Sequence, residues 1–464
     1  MDIKKLHEMY KNKEITVYDF INQSFEKIDE NNINSFITLD KEKALEKAKE
    51  LDKKLEEGCE ISPLFGVPYA LKDNIITDGL LTTAGSHTLS TYIPIYDATV
   101  TKKLKESDGI LIGKANMDEY AMGGSSETSY YGVTLNPLDR ELIPGGSSSG
   151  SAAAIAAGEV LVSLGTDTGG SVRNPANFCN VVGMAPTYGA ISRYGTISMA
   201  NSFDRVGVLG NTVEDAKIIF DIVKGKDDHD FTTVDLDPAR GIESLEGVKI
   251  AYVKIDERFE SDKQIIDLYN KALDMLREKG AVLKEVEIKY LENINQIYTV
   301  IMAVEVSANM ARIDGIRFGA SHSPNEGIDN LFRKNRSDFF GDEMKRRIAL
   351  GNYFSSKESG QLHYKQALKV RSLFRDSIES ILEDNEFIIS PTNLKLPYKI
   401  GSREDDANAA FDSGTFNTIT NIIDLPAISI PTDEKLIGSV QVIGRRFKDE
   451  DLFDLASLME GGLK

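Results

Sequence analysis

The chain has 464 residues, 41% of them hydrophobic and 27% charged, and a formal net charge of −19. That length allows one large α/β domain or two ordinary ones, and the composition is that of a globular protein. So acidic a chain does not grip nucleic acid by itself, because neutralising phosphates needs a local basic excess.

Two cysteines, Cys59 and Cys179, make no disulfide framework and point to a reducing compartment. The amino terminus, MDIKKLHEMYKNKE, lacks the apolar core of a secretion signal, and no run approaches a membrane span, so a cytoplasmic location is expected. Residues 1–58 read as helices. Val17, Phe20, Ile21, Phe25 and Ile28 recur at helical spacing behind Thr16, an N-cap with Asp19 three residues on. A second helix opens at Asp40 and stops at Gly58.

From Phe65 the texture changes. Val67–Leu71 reads as a short apolar strand running straight into Lys72-Asp73-Asn74. A helix over Asp97–Ser107, a buried strand over Ile110–Gly113 and a helical turn over Asn116–Met122 follow. Strand, helix and Gly-rich turn alternate to Gly210, the pattern of an α/β sheet with helices on both faces. Beyond it come a helix in TVEDAKIIFDIVKG, a strand in VKIAYV, a long helix over Asp262–Lys279 and a mostly helical stretch over 291–384. Strands return at Phe387–Ser390, Ala427–Ile430 and Gly438–Ile443 before a closing helix. The expectation is one domain over 1–464: N-terminal helices (1–58), a core (60–210), a helical insertion (290–385) and a return to the same sheet (386–464).

The chemistry concentrates in two glycine-serine turns, Gly145-Gly146-Ser147-Ser148-Ser149-Gly150 and Asp167-Thr168-Gly169-Gly170-Ser171. Such turns suit close backbone approach to a ligand, and strand ends in open α/β sheets are where ligands bind. Thr168, Gly169 and Gly170 would present consecutive N–H groups to a developing oxyanion beside Ser171. Lys72, at the end of a buried strand, must either pair with a carboxylate such as Asp73 or lose its proton and become a general base.

Three other motifs compete. Gly146-Ser147-Ser148-Ser149-Gly150 fits a nucleophile elbow around Ser148, which would need His229, His322 or His363 as base; none of these lies in a Gly-rich or strand-end setting. Asp167-Thr168-Gly169 and Asp412-Ser413-Gly414 resemble paired aspartic-protease turns, but those enzymes are all-β and this chain is rich in helix. A Walker loop would need a Lys-Ser/Thr ending that Gly150-Ser151-Ala152 lacks.

Together, Lys72 in ALKDN, Ser147 in GGSSSGSAAA and Ser171 in GTDTGGSVRNP resemble the amidase signature family, whose signature corresponds here to Gly145–Pro175. The resemblance implies an α/β/α sandwich with a central mixed β-sheet covered by helices on both faces. It implies a Ser-cisSer-Lys triad of Ser171, Ser147 and Lys72, with the cis bond at Gly146–Ser147 and no metal or cofactor in this chain.

The fragments KANMDEYAMGGSSETS, ISRYGTISMANSFDRVG, SDFFGDEMKRRIALGNYFSS and HYKQALKVR further resemble the branch of that family that supplies ammonia inside tRNA-dependent amidotransferases. Likeness to that branch implies hydrolysis of glutamine, or more slowly asparagine. It also implies B and C subunits as partners, ATP and Mg at one of those partners, and mischarged tRNA held mainly through the B subunit, with Glu-tRNA(Gln) or Asp-tRNA(Asn) amidated.

For the substrate, Arg346 or preferably Arg347 would clamp the α-carboxylate. Gly124, Ser125 and Ser126 would line the amide pocket. The branch's acidic amino clamp falls on Gly414 here, so the clamp is either shifted to Asp412 or absent. Two alternatives stand beside this reading: a stand-alone amidase acting on another small carboxamide, and a catalytically idle scaffold subunit.

Overall fold

Strands buried at every position need cover on both faces, and such strands form the middle of this molecule. The computed structural model describes residues 1–317, 319–323, 327–357, 361–403, 414–433 and 437–463. Within them lie strands β1 (Phe36–Leu39), β2 (Pro68–Lys72), β3 (Ile110–Ala115), β4 (Val162–Asp167), β5 (Val182–Ala185) and β6 (Arg205–Gly210). The later strands are β7 (Lys249–Val253), β8 (Val282–Val286), β9 (Phe387–Pro391), β10 (Ala427–Pro431) and β11 (Ser439–Ile443). All belong to one sheet in the order β1-β3-β2-β4-β6-β5-β10-β11-β9-β7-β8.

The sheet is mixed. β2 runs parallel to β3 and β4, β4 antiparallel to β6, and β7 parallel to β8 and β9. Every residue of β2, β3, β4, β6 and β10 is buried. Successive strand residues enter opposite cores, as period-two geometry requires. Ile250, Ile389, Ile428 and Val442 join one apolar cluster, while Ala251, Ile388, Ala427 and Ile443 join the other. Helices Val213–Val223, Lys263–Glu278 and Asp449–Leu463 pack on the first face. Helices Ile294–Met310, Gln361–Asp384 and Thr415–Ile423 pack on the second. The expected α/β layering, with helices on both faces, is the one found.

At the amino end Thr16 caps the helix Val17–Asn31, its hydroxyl accepting from Asp19 N at 3.0 Å. Residues 1–58 are not helical throughout, however: β1 lies among them, and β8 is a second strand missing from the sequence reading. Both are edge strands. Exposed on one flank, β8 carries Lys284 and Glu285 and shows no continuous apolar run. Among the described residues, no helix is long and apolar enough to cross a membrane.

What matters for the site is that β2 and β4 lie side by side and parallel, so their carboxyl ends, Lys72 and Asp167, open on the same edge.

Candidate active site

Lys72 is the last residue of β2 and is fully buried. Its Nζ donates to Ser147 Oγ at 2.7 Å and to the Thr166 carbonyl at 3.2 Å. Burial brings its pKa down to about 7, against the opposing pull of Asp118, Asp167 and Asp204. Pairing with adjacent Asp73 does not occur. Asp73 accepts from Thr83 N and Oγ1 at 2.8 and 2.5 Å and faces Lys114, whose Nζ is 3.7 Å away.

Ser147 follows a cis peptide at Gly146. A Cβ on Gly146 would fall onto Asp118 Oδ2 and the Gly124 backbone, so only glycine fits. Asp118 holds the turn from the other side, its N–H donating to the Ser147 carbonyl at 3.3 Å. The two glycine-serine turns are tied together by Ser148 N, which donates to the Ser171 carbonyl at 3.1 Å.

Ser148 itself is spent on β4: its hydroxyl donates to the Thr166 carbonyl at 3.2 Å and accepts from Thr166 N at 3.3 Å. The elbow's histidines lie elsewhere. His229 stacks on Tyr194, His322 meets Asp338 at 2.9 Å, and His363 lies against Phe354. None lines the cavity beside Ser171.

Asp167 shapes the second turn. Its carboxylate accepts from Gly170 N at 2.8 Å, Val172 N at 3.1 Å, and Arg173 Nε and Nη2 at 3.2 and 3.1 Å. Burial alone would raise its pKa, but the Arg173 and Arg205 guanidiniums overcome this and hold the carboxyl well below the usual carboxylate range. Arg173, fully buried, donates onward to Gln441 Oε1 and Asn421 Oδ1 at 3.0 and 2.7 Å. A carboxylate so fully engaged is scaffolding, which removes the aspartic-protease reading of Asp167.

Within this network the Gly170 N–H is bonded to the Asp167 carboxylate. Gly170 is also required for its φ of +114° and for the closeness of Asn417, which a Cβ would strike. Thr168 donates its hydroxyl to Asp204 at 2.8 Å. Among the described residues, no acceptor is bonded to the N–H groups of Gly169 or Ser171.

Ser171 opens on a cavity whose wall also contains Gly124, Gly146, Gly169, Tyr298 and Arg347. Arg347, on the helix Asp342–Ser355, is 3% exposed; its Nε donates to Glu343 at 2.6 Å. Arg346 binds the same glutamate but is absent from the wall. Of the Gly124–Ser126 loop only Gly124 lines the cavity. Ser125 and Ser126 serve their own turn, accepting from Glu127 N at 3.4 Å and Thr134 N at 3.0 Å. Asp412 lies outside the described residues. The wall holds four polar side chains that sequence reasoning did not single out, those of Asn174, Tyr298, Asn417 and Thr418. Asn174 alone carried a signal, since it sits inside the SVRNP segment.

The arrangement joins a buried amine of lowered proton affinity to one serine, and places a second serine beside free N–H donors in a lined cavity. Such a set suits acyl transfer from an amide. The comparisons agree with this. The family model described as Amidase matches residues 19–453. The A subunit of glutamyl-tRNA(Gln) amidotransferase from Staphylococcus carnosus (strain TM300) is 41% identical over 99% of this chain and 96% of its own length. A crystal structure of the A subunit of glutamyl-tRNA(Gln) amidotransferase from Thermotoga maritima is 34% identical, with a TM-score of 0.78 over 96% of this chain and 94% of that one. A bacterial aryl acylamidase of the amidase signature family, 23% identical, shares the fold at a TM-score of 0.85 over 100% of this chain and 96% of that one.

Proposed function

The chain belongs to the amidase family, and from that premise we propose that it is the glutamine-hydrolysing subunit of a cytoplasmic tRNA-dependent amidotransferase. Lys72, Ser147 and Ser171 act as its triad. The observation that carries this is the 2.7 Å hydrogen bond from fully buried Lys72 to Ser147, next in the chain to Gly146, which lines the cavity shared by Ser171 and Arg347.

Neutral Lys72 accepts a proton from Ser147 as Ser147 accepts one from Ser171, since a hydroxyl donates and accepts at once. Ser171 Oγ bonds to the side-chain amide carbon of glutamine. The carbonyl oxygen becomes an oxyanion facing the N–H groups of Gly169 and Ser171. Its collapse breaks the C–N bond, and the relayed proton leaves with the nitrogen as ammonia. Water then attacks the Ser171 ester by the same relay, releasing glutamate and restoring the hydroxyl. Arg347 holds the substrate α-carboxylate, which fits a buried guanidinium in the wall.

Likeness to the A subunits of glutamyl-tRNA(Gln) amidotransferases supports partner B and C subunits. The B subunit would bind ATP, Mg²⁺ and mischarged Glu-tRNA(Gln) or Asp-tRNA(Asn) and consume the ammonia. The net charge of −19 is in keeping with tRNA being held elsewhere.

The test is ammonia release from L-glutamine by the full chain, alone and with B and C subunits, ATP, Mg²⁺ and mischarged tRNA. Release stimulated by the partners is expected, and Ser171→Ala abolishes it while the melting temperature stays put. Hydrolysis of other carboxamides with glutamine ignored in every mixture would overturn the proposal in favour of a stand-alone amidase.

A further inference from the structure

Three buried asparagines form a relay behind the cavity. Asn174 Nδ2 donates to the carbonyls of Gly124 and Gly146 at 2.9 and 3.1 Å. Asn393 Nδ2 donates to Asn174 Oδ1 at 2.8 Å, and Asn417 Nδ2 donates to Asn393 Oδ1 at 2.6 Å.

The polarity of this chain is fixed at one end. Backbone carbonyls only accept, so Asn174 must turn its NH₂ toward Gly124 and Gly146 and its oxygen toward Asn393. Asn393 is then obliged to donate to Asn174 and accept from Asn417. Asn417 can satisfy it only with its own NH₂. The Asn417 carbonyl oxygen is thereby left over: it is buried, on a residue 1% exposed that lines the cavity, and no described residue donates to it. A buried acceptor held in this orientation by a three-residue relay is complementary to an N–H donor on a ligand.

Which donor follows from the surroundings. Asn417 packs against Gly170, whose N–H goes to Asp167 and whose carbonyl accepts from Asn174 N at 2.7 Å. The backbone beneath Asn417 thus offers nothing to the reacting carboxamide, which belongs beside Gly169 and Ser171. Arg347, in the same wall, takes the carboxylate. No carboxylate side chain lies among the described wall residues to meet an ammonium.

We propose that Asn417 Oδ1 receives an N–H of the substrate's α-ammonium, so that a neutral amide acceptor selects an α-amino acid amide over the same carboxamide without the amino group. This rests on the glutaminase reading above. Asn417 is a specificity residue, set in place by Asn393 and Asn174.

The test compares L-glutamine with 4-carbamoylbutanoate, which has the same amide and carboxylate but no amino group, using the full chain in complex with its B and C partners. Asn417→Leu removes the acceptor and should cut kcat/KM for glutamine by about tenfold or more, mainly through KM, while leaving 4-carbamoylbutanoate within about twofold. Asn417→Asp gives up the NH₂ that Asn393 accepts from and should be less stable, but it keeps acceptor oxygens and should retain the preference for glutamine. Equal losses on both substrates, or a preference unchanged in Asn417→Leu, would overturn the proposal alone. Wild-type hydrolysis of 4-carbamoylbutanoate without hydrolysis of glutamine would remove the glutaminase reading and this proposal with it.

Discussion

Whether Lys72 sits in the fold without its proton can be measured with no substrate present. The lysine goes from an ordinary pKa of 10.5 to about 7 on burial. Because the folded value is the lower one, the unfolded chain holds the extra proton between the two values and the native state does not. Stability therefore rises with pH through that window. The penalty for burying Lys72 is full below pH 7 and gone above 10.5. At ~1.36 kcal/mol per pKa unit it amounts to about 4 kcal/mol at pH 7 and about 2 kcal/mol at pH 9.

Lys72→Met has no such proton. It also loses the bonds to Ser147 and Thr166, an offset common to both pH values. Urea denaturation of the two proteins should therefore show wild type gaining about 2 kcal/mol on the variant between pH 7 and pH 9. The variant itself should be inactive at both. A stability difference that does not move with pH would mean that Lys72 keeps its proton in the native state. The general-base role would then fail whatever the activity assay says.

Two further substitutions probe different parts of the site. Arg347→Lys keeps the charge but loses the planar fork, and should raise KM for glutamine by about tenfold or more with a smaller effect on kcat. Initial rates over a glutamine series separate the two, and an unchanged KM would remove Arg347 from the substrate contacts. Arg173→Met leaves the Asp167 carboxylate buried without its guanidinium, and should cost about 3–5 kcal/mol of stability. A melting curve coincident with wild type would show that the Asp167 network does not hold the turn.

The central strands were legible because cover on both faces demands uninterrupted apolar runs, and VPYAL and ILIG supply them. The two edge strands were not, because one flank faces outward and the apolar run breaks; Lys284 and Glu285 of β8 look like loop residues in one dimension. In the site, Lys72, Ser147 and Ser171 stood out through the glycine-serine turns and the oddity of a lysine ending a buried strand. What escaped depends on contacts between distant segments. That the Gly170 N–H is bonded to Asp167 follows from Asp167 folding back onto it, and Ser126 is indistinguishable in sequence from a serine that faces a ligand. Asn417, in the unremarkable helix TFNTITNII, acquires meaning only through Asn393 and Asn174, which lie 24 and more than 200 residues away.

The Arg173 bonds have a consequence for how the protein is made. Lys72, Ser147 and Ser171 all leave the ribosome early, but Arg173 waits for Asn421 and Gln441, 248 and 268 residues behind it. β5 likewise waits for β10. A nascent or truncated chain can hold Lys72, Ser147 and Ser171 and still lack the cross-brace that sets the Ser171 turn. The turn that carries Ser171 is therefore completed only when segments from the far end of the chain have joined it.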